Sequence, residues 1–233
     1  MAQSSGFKQE QRRYQRVRQA YANQQSWLDQ TLASQNLSAS NLRIYLRAFK
    51  AEDELEVWAK KKTDDTYRHL VTFPICSKSG QIGPKRRQGD LQVPEGYYHI
   101  DRFNPVSNFH LSLGINYPNR SDKILSDKSR PGGDIFIHGS CVTIGCLPIT
   151  DPLIEQLYVL CIEAKNSGQG NIPVTLFPSR LEDETLKALQ SEHAGETDKL
   201  NLWLDLKKGY DYFNTHKKLP SIGFLPTGRH SVG

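Results

Sequence analysis

Asp134-Ile-Phe-Ile-His-Gly-Ser-Cys-Val-Thr-Ile-Gly-Cys146 is the stretch from which the fold is read. Ile135 and Ile137 alternate with Phe136 and His138, the period of a short strand. His138 comes at the end of that strand, where Gly139 lets the chain turn. A compact loop follows and closes at Gly145, directly before Cys146. Asp151-Pro152 then opens a helix, with Asp as the N-cap and Pro at the first helical position. A histidine and a cysteine thus stand eight positions apart, one at a strand end and one at a loop end. This suits nucleophilic catalysis: a thiolate attacks a carbonyl, and an imidazole takes the thiol proton and later gives one to the leaving amine. Gly145 allows close approach, so the N–H groups of Gly145 and Cys146 are the expected oxyanion donors. The dipole of the helix after Asp151 gives the thiolate only modest help across the intervening residues.

Outward from this stretch, residues 8–36 carry the apolar stripe Tyr14, Val17, Tyr21, Leu28 and Leu32 and read as a helix. Residues 42–49 and 55–59 read as a hairpin, and 67–73 as a third strand. Residues 77–96 are turn-rich and too long for a plain connection, which marks a functional loop. A strand follows at 97–101. Another at 109–114 would place His110, Ser112 and Gly114 on one face. The polar stretch 120–133 reads as an irregular cleft wall. Beyond the helix that ends near Lys165, Pro173 assigns the strand 172–177 to a sheet edge. Residues 186–189 and 200–213 read as helices, and 219–233 as an extended tail that wraps the domain or frays.

Two segments resemble the L,D-transpeptidase catalytic domain, the YkuD family. That family carries a His-Gly, then a Ser/Thr-His-Gly-Cys with the nucleophile last. His138-Gly139 matches the first part and Thr143-Ile144-Gly145-Cys146 the second. Ile144 replaces the family's second histidine, and the His-to-Cys interval is short; both departures are similar to the YafK-like branch. Leu147-Pro148 stands where an Arg usually follows the nucleophile. Gly89-Asp-Leu-Gln-Val-Pro-Glu-Gly-Tyr97 is similar to the family's Gly-x-x-x-Thr-Pro-x-Gly-x-Tyr segment beside the active site. His110 and Tyr117 resemble the branch's Phe-His-Leu and Tyr-Pro-Asn.

The resemblance spans about residues 42–178 and implies an α+β fold. A mainly β catalytic domain would occupy 41–180, flanked by an N-terminal helical segment, 1–40, and a C-terminal helical extension and tail, 181–233. It implies that Cys146 attacks a peptidoglycan stem peptide at the L-centre of a diamino acid, forming a thioester as D-alanine leaves. Resolution by an amine is transpeptidation. Resolution by water makes the protein an L,D-carboxypeptidase, or an amidase releasing a wall-linked lipoprotein. His138 would be the base, oriented by the backbone or side chain of Gly139-Ser140. His110, Tyr117 and Thr143 would line the cleft, and neither cofactor nor metal is implied. The location implied is extracytoplasmic, in periplasm or cell wall, with a signal peptide absent from the polar start Met1-Ala-Gln-Ser-Ser-Gly-Phe7.

Composition agrees with one polar domain. The 233 residues carry a net charge of +5 and 37% apolar content, with a mean hydropathy of -0.59. The basic residues are scattered and not interleaved with aromatics, which weighs against nucleic acid and is compatible with an anionic wall polymer. No apolar run is long enough to span a bilayer. Four cysteines are too few for a disulfide scaffold. Cys161 falls on the apolar stripe of Leu153, Leu157, Leu160 and Ala164 and reads as core, and Cys76 reads as structural. Cys141 reads as a small loop filler, or as a redox partner of Cys146. Three rivals stay open: a zinc site of His138, Cys141, Cys146 and His110; a papain-like protease, in which the nucleophile precedes the histidine; and a non-catalytic wall-binding relative. Singly, His138 reads as a bonded core histidine and Cys146 as a small buried residue. Their joint wording favours the enzyme.

Overall fold

The computed structural model describes residues 4–233; Met1, Ala2 and Gln3, the start of the polar stretch read above, lie outside them. The strands of the main sheet are β1 (Leu42–Phe49), β2 (Glu54–Lys61), β3 (Arg68–Pro74), β4 (Gly96–Asn104), β5 (Ser112–Ile115), β6 (Phe136–His138), β7 (Leu147–Pro148) and β8 (Ile172–Phe177). They form an eight-stranded mixed sheet in the order β3-β2-β1-β8-β4-β5-β6-β7. The pairs β1–β8 and β6–β7 are parallel, and the others are antiparallel. The helices are α1 (Ser4–Gln11), α2 (Gln15–Ser34), α3 (Arg120–Leu125), α4 (Asp151–Asn166), α5 (Asp183–Glu192) and α6 (Thr197–His216). A small hairpin, β9 (Ile222–Phe224) and β10 (His230–Val232), ends the chain. The class is α+β.

Period-two alternation builds the two faces. Leu42, Ile44, Leu46 and Ala48 of β1 join one core with α2 and α4. Phe49 packs with Trp203, Leu206 and Tyr210 of α6 on the other side, while Tyr45 meets Phe213. The helix α4 lies between the sheet and α1–α2, so it is buried almost all round. Its buried carboxylates are satisfied from the N-terminal helices. Glu163 takes Tyr21 Oη at 2.7 Å and Lys8 Nζ at 2.6 Å. Glu155 accepts from Asn23 Nδ2 at 3.0 Å and Gln24 Nε2 at 3.1 Å.

Several expectations change. The helix read over 8–36 is broken at residues 12–14 into α1 and α2. The stretch 120–133 is not wholly irregular: Asn119 and Asp122 form a reciprocal capping box that starts α3. The strand expected at 109–114 begins only at Ser112, because His110 has a left-handed backbone (φ 64°) that no strand adopts. β8 is interior rather than an edge. Pro173 lies before its first pair with β1, Leu46–Val174, so the missing N–H costs that ladder nothing. The tail forms a hairpin, and Ser121 Oγ donates to Gly228 O at 2.5 Å.

Candidate active site

β6 is held between β5 and β7. Ile137 pairs with Leu147, and His138 with Pro148. Ile137 and Leu147 enter the α4-side core. Side chains alternate along a strand, so Phe136 and His138, with Cys146 just ahead of β7, belong to the opposite face. The nucleophile and base candidates are therefore on one face of adjacent strands, in a diagonal relation.

His138 is only 2% exposed, and its Nδ1 lies 2.6 Å from Gly139 O. Nδ1 thus carries the proton and donates it, which leaves Nε2 as the basic nitrogen. The Phe109 ring covers the imidazole at 4.7 Å between centroids. Burial lowers the imidazole pKa below its ordinary value, and the Gly139 hydrogen bond opposes this only in part. For the Cys146 thiol, burial raises the pKa; the Phe136 N–H and Lys85 pull it down, and Asp134 adds to the rise. The net direction is up. Burial thus favours the neutral form of each group. Sγ contacts Asp134 O at 3.7 Å and makes no hydrogen bond to His138.

The loop between them is clamped at several points. Gly139 N–H is shared between Phe109 O at 3.1 Å and Leu111 O at 3.2 Å. A Cβ on Gly139 would meet Asp151 Oδ1 at 2.5 Å and Phe109 O at 2.9 Å, so only glycine fits. Asp151 is not the N-cap; Thr150 is, and the Asp151 carboxylate instead accepts from Ser140 N–H at 2.8 Å. Thr143 Oγ1 accepts from Gly145 N–H at 3.2 Å and Cys146 N–H at 2.8 Å, and donates to Cys146 O at 2.9 Å. The two N–H groups read as oxyanion donors are thus already engaged in the resting loop. Cys141 is exposed and disulfide-bonded to Cys76, 65 positions away. It neither fills the loop interior nor pairs with Cys146, and it cannot ligate zinc.

A cavity of about 210 Å³ opens beside Cys146. Ile75, Ile82, Val93 and Leu147 line it, together with Ser77, Ser79 and Gln81 of the 77–96 loop. Lys50, Asp53 and Lys78 also line it, and nothing in the motif reading singled them out. Lys78 Nζ pairs with Asp53 at 2.7 Å. Lys50 anchors the loop through Gly83 O at 2.7 Å, Val93 O at 3.0 Å and buried Glu95 at 2.8 Å. Asp90 holds the neighbouring turn. Burial pushes its carboxyl up, but hydrogen bonds from Lys85 and from the N–H groups of Arg86, Arg87 and Gln92 outweigh that and keep it low.

Over 191 residues the chain is 34% identical to "Putative L,D-transpeptidase YafK" of Escherichia coli strain K12, covering 81% of this chain and 73% of that protein. The chain belongs to the L,D-transpeptidase family. No family model matches it. Among solved structures it is similar to the helical cell shape determining protein Pgp2 from Campylobacter jejuni, with TM-score 0.47 and 17% identity over 79% of this chain and 73% of that one. It is also similar to Bd1075 of Bdellovibrio bacteriovorus, with TM-score 0.42 and 18% identity over 79% and 78% of the two chains.

As a member of the family's YafK-like branch, the chain has its departures in contrasting places: Leu147 and Pro148, where an Arg usually follows the nucleophile, are buried. Ile144, where the wider family has a second histidine, is 79% exposed. His110 and Tyr117, read as cleft residues, do not line the cavity. His110 Nε2 turns to Glu155 Oε1 on α4 at 2.9 Å. Tyr117 is buried and donates to Pro131 O at 2.9 Å. Thr143 acts on the loop backbone, as described above.

Proposed function

We propose that this member of the family acts on peptidoglycan stem peptides as an L,D-transpeptidase through Cys146. The observation that supports the reading is the β6–β7 register, from which Cys146 and His138 share one face, with Cys146 at the lip of a cavity that His138 does not line. Because Nδ1–H donates to Gly139 O, Nε2 is the nitrogen that can take a proton. Rotation about the Cys146 Cα–Cβ bond moves Sγ from Asp134 O toward Nε2. Sγ attacks the carbonyl at the L-centre of the diamino acid as its proton passes to Nε2. The oxyanion takes the N–H groups of Gly145 and Cys146 once Thr143 Oγ1 yields them. Collapse breaks the C–N bond, His138 protonates the departing D-alanine amine, and a thioester remains. An acceptor amine then attacks, gives its proton to His138, and releases the Cys146 thiol. Burial favours the neutral form of both groups, and in this reading the proton moves during the attack.

Residues 41–180 are the catalytic unit in this reading, with 1–40 and 181–233 as its supports. The Cys76–Cys141 disulfide supports an oxidising, extracytoplasmic setting. No helix among the described residues is long and apolar enough to cross a membrane. Incubation of the purified protein with muropeptides, followed by mass spectrometry, tests the proposal. A new cross-link is the expected product, absent with Cys146→Ala. A shortened stem, or a protein remnant freed from the wall, would assign water as the acceptor. No change in any stem would overturn the reading.

A further inference from the structure

The N-terminal helix α2 lies outside the part of the chain that resembles the catalytic domain, yet it reaches the residues around His138. Arg16 Nη1 donates to Ser107 O and, at 2.8 Å, to His110 O. The His110 ring donates to Glu155 Oε1 at 2.9 Å, and Glu155 Oε2 accepts from Asn23 and Gln24 of α2. The segment fixed in this way holds His138 on two sides. The Phe109 ring lies on the imidazole, and Phe109 O and Leu111 O share the N–H of Gly139, whose own carbonyl accepts from Nδ1. His110 is in a left-handed conformation, and its Cβ is where a side chain on Gly139 would have to go, at 3.0 Å. A buried carboxylate facing three side-chain donors, beside a non-glycine left-handed residue, is an arrangement that surrounding structure must hold in place.

We infer that His110 and Glu155, braced by Arg16, Asn23 and Gln24 of α2, form a positioning latch for the His138 imidazole. The inference rests on the acyl-transfer reading. The latch touches neither substrate nor thiol; it fixes the one turn from which the base is oriented. α2 is then a support of the base rather than a spacer, because without it residues 107–110 lose both backbone anchors from Arg16 and Glu155 loses two of its three side-chain donors.

The test uses the full chain. His110→Gly keeps the left-handed backbone and removes the ring. Glu155→Gln keeps the shape but cannot accept from both His110 and the α2 amides. Each is expected to lower kcat roughly tenfold with KM within about twofold, as misplacement of a general base does. Gln24→Glu added to Glu155→Gln restores an acceptor for the new amide, and kcat should recover. A second readout needs no substrate: the rate at which iodoacetamide alkylates Cys146. Cys161 is sealed in the core and the other two cysteines are disulfide-bonded, so this thiol reports alone. The alkylation rate should fall in the same variants and recover in the pair. Folded variants with wild-type kcat and wild-type alkylation overturn the latch, and so does a kcat loss that the paired change fails to restore. Should His110→Gly or Glu155→Gln not fold, Arg16→Gln, at an exposed position on α2, decides in the same assays. If the wild-type protein turns over no stem peptide, the acyl-transfer reading fails, and the alkylation rates still decide the latch.

Discussion

The two ends of the sheet treat polar groups in opposite ways. At β1 and β2, the buried Arg47 guanidinium lies over the rings of Phe213 at 4.8 Å and Trp58 at 5.0 Å. It gives Nε and Nη2 to Glu56 Oε2 at 3.0 and 2.8 Å, and Nη1 to Asn214 at 2.8 Å. Glu56 also accepts Trp58 Nε1 at 2.6 Å and pairs with Arg180 at 2.9 Å. At β6 and β7 the commitments are weaker. A thiol and an imidazole make no bond to each other, and a hydroxyl holds the two loop N–H groups. Asp134 and Ser140 have left-handed backbones without being glycine, as His110 does. One end spends its polar groups on stability, and the other keeps them available for chemistry.

The contrast can be broken by single changes. Cys146→Ala should reduce turnover at least about a thousandfold and leave the melting temperature nearly unchanged; retained turnover in the muropeptide assay would remove the chemical end from the comparison. Arg47→Met should do the reverse. It leaves Glu56 buried without its main partner, costing roughly 3–5 kcal/mol in denaturant unfolding, while the folded fraction keeps its kcat. Removing both cysteines of the disulfide, Cys76→Ser with Cys141→Ser, joins the two ends. The loss should be about 2–4 kcal/mol from the loop that the bond closes, together with a fall in kcat that Arg47→Met does not show.

Acid sharpens the contrast further. Burial holds His230 down at about 4, and it lies between the rings of Tyr97 and Phe224. The unfolded chain binds its proton near 6.5, so this contribution is fully present above that pH and is lost as pH falls toward 4. The loss amounts to at most about 3 kcal/mol. Asp122, raised by burial to about 6, works in the opposite direction over the lower part of that range. The difference between wild type and His230→Phe isolates the histidine: the melting temperature of the wild type should fall relative to that of the variant as pH drops from 6.5 toward 4. A pH-independent difference would show that His230 is not held neutral. The smallest effect belongs to Ile144→Ser, an exposed change expected to stay within about 0.5 kcal/mol in thermal unfolding.

What the sequence made legible follows from how local each signal is. Alternation in β1 and β8 names both faces of the sheet from residues two apart. The His138–Cys146 wording is local as well, so strand, turn, closing glycine and nucleophile can be read in one line. α3 is hidden because its start is polar, although Asn119 and Asp122 carry the capping pattern. Asp151 looks like a cap because its spacing permits one; the loop at Ser140 claims the carboxylate first. The pairing of Cys76 with Cys141 and of His110 with Glu155 depends on strand order and on where α4 lies. No spacing in the chain announces either.

The bond between residues 76 and 141 gives the loop before Cys146 a tie that no local contact supplies. The start of the loop is held by Asp151 at Ser140 N–H and by the Phe109 and Leu111 carbonyls at Gly139 N–H, and its end by the Thr143 hydroxyl. Oxidation adds a further tether, to the end of β3. Because β3 and β7 stand at opposite ends of the strand order, that one bond joins the two edges of the sheet across the loop that leads to Cys146.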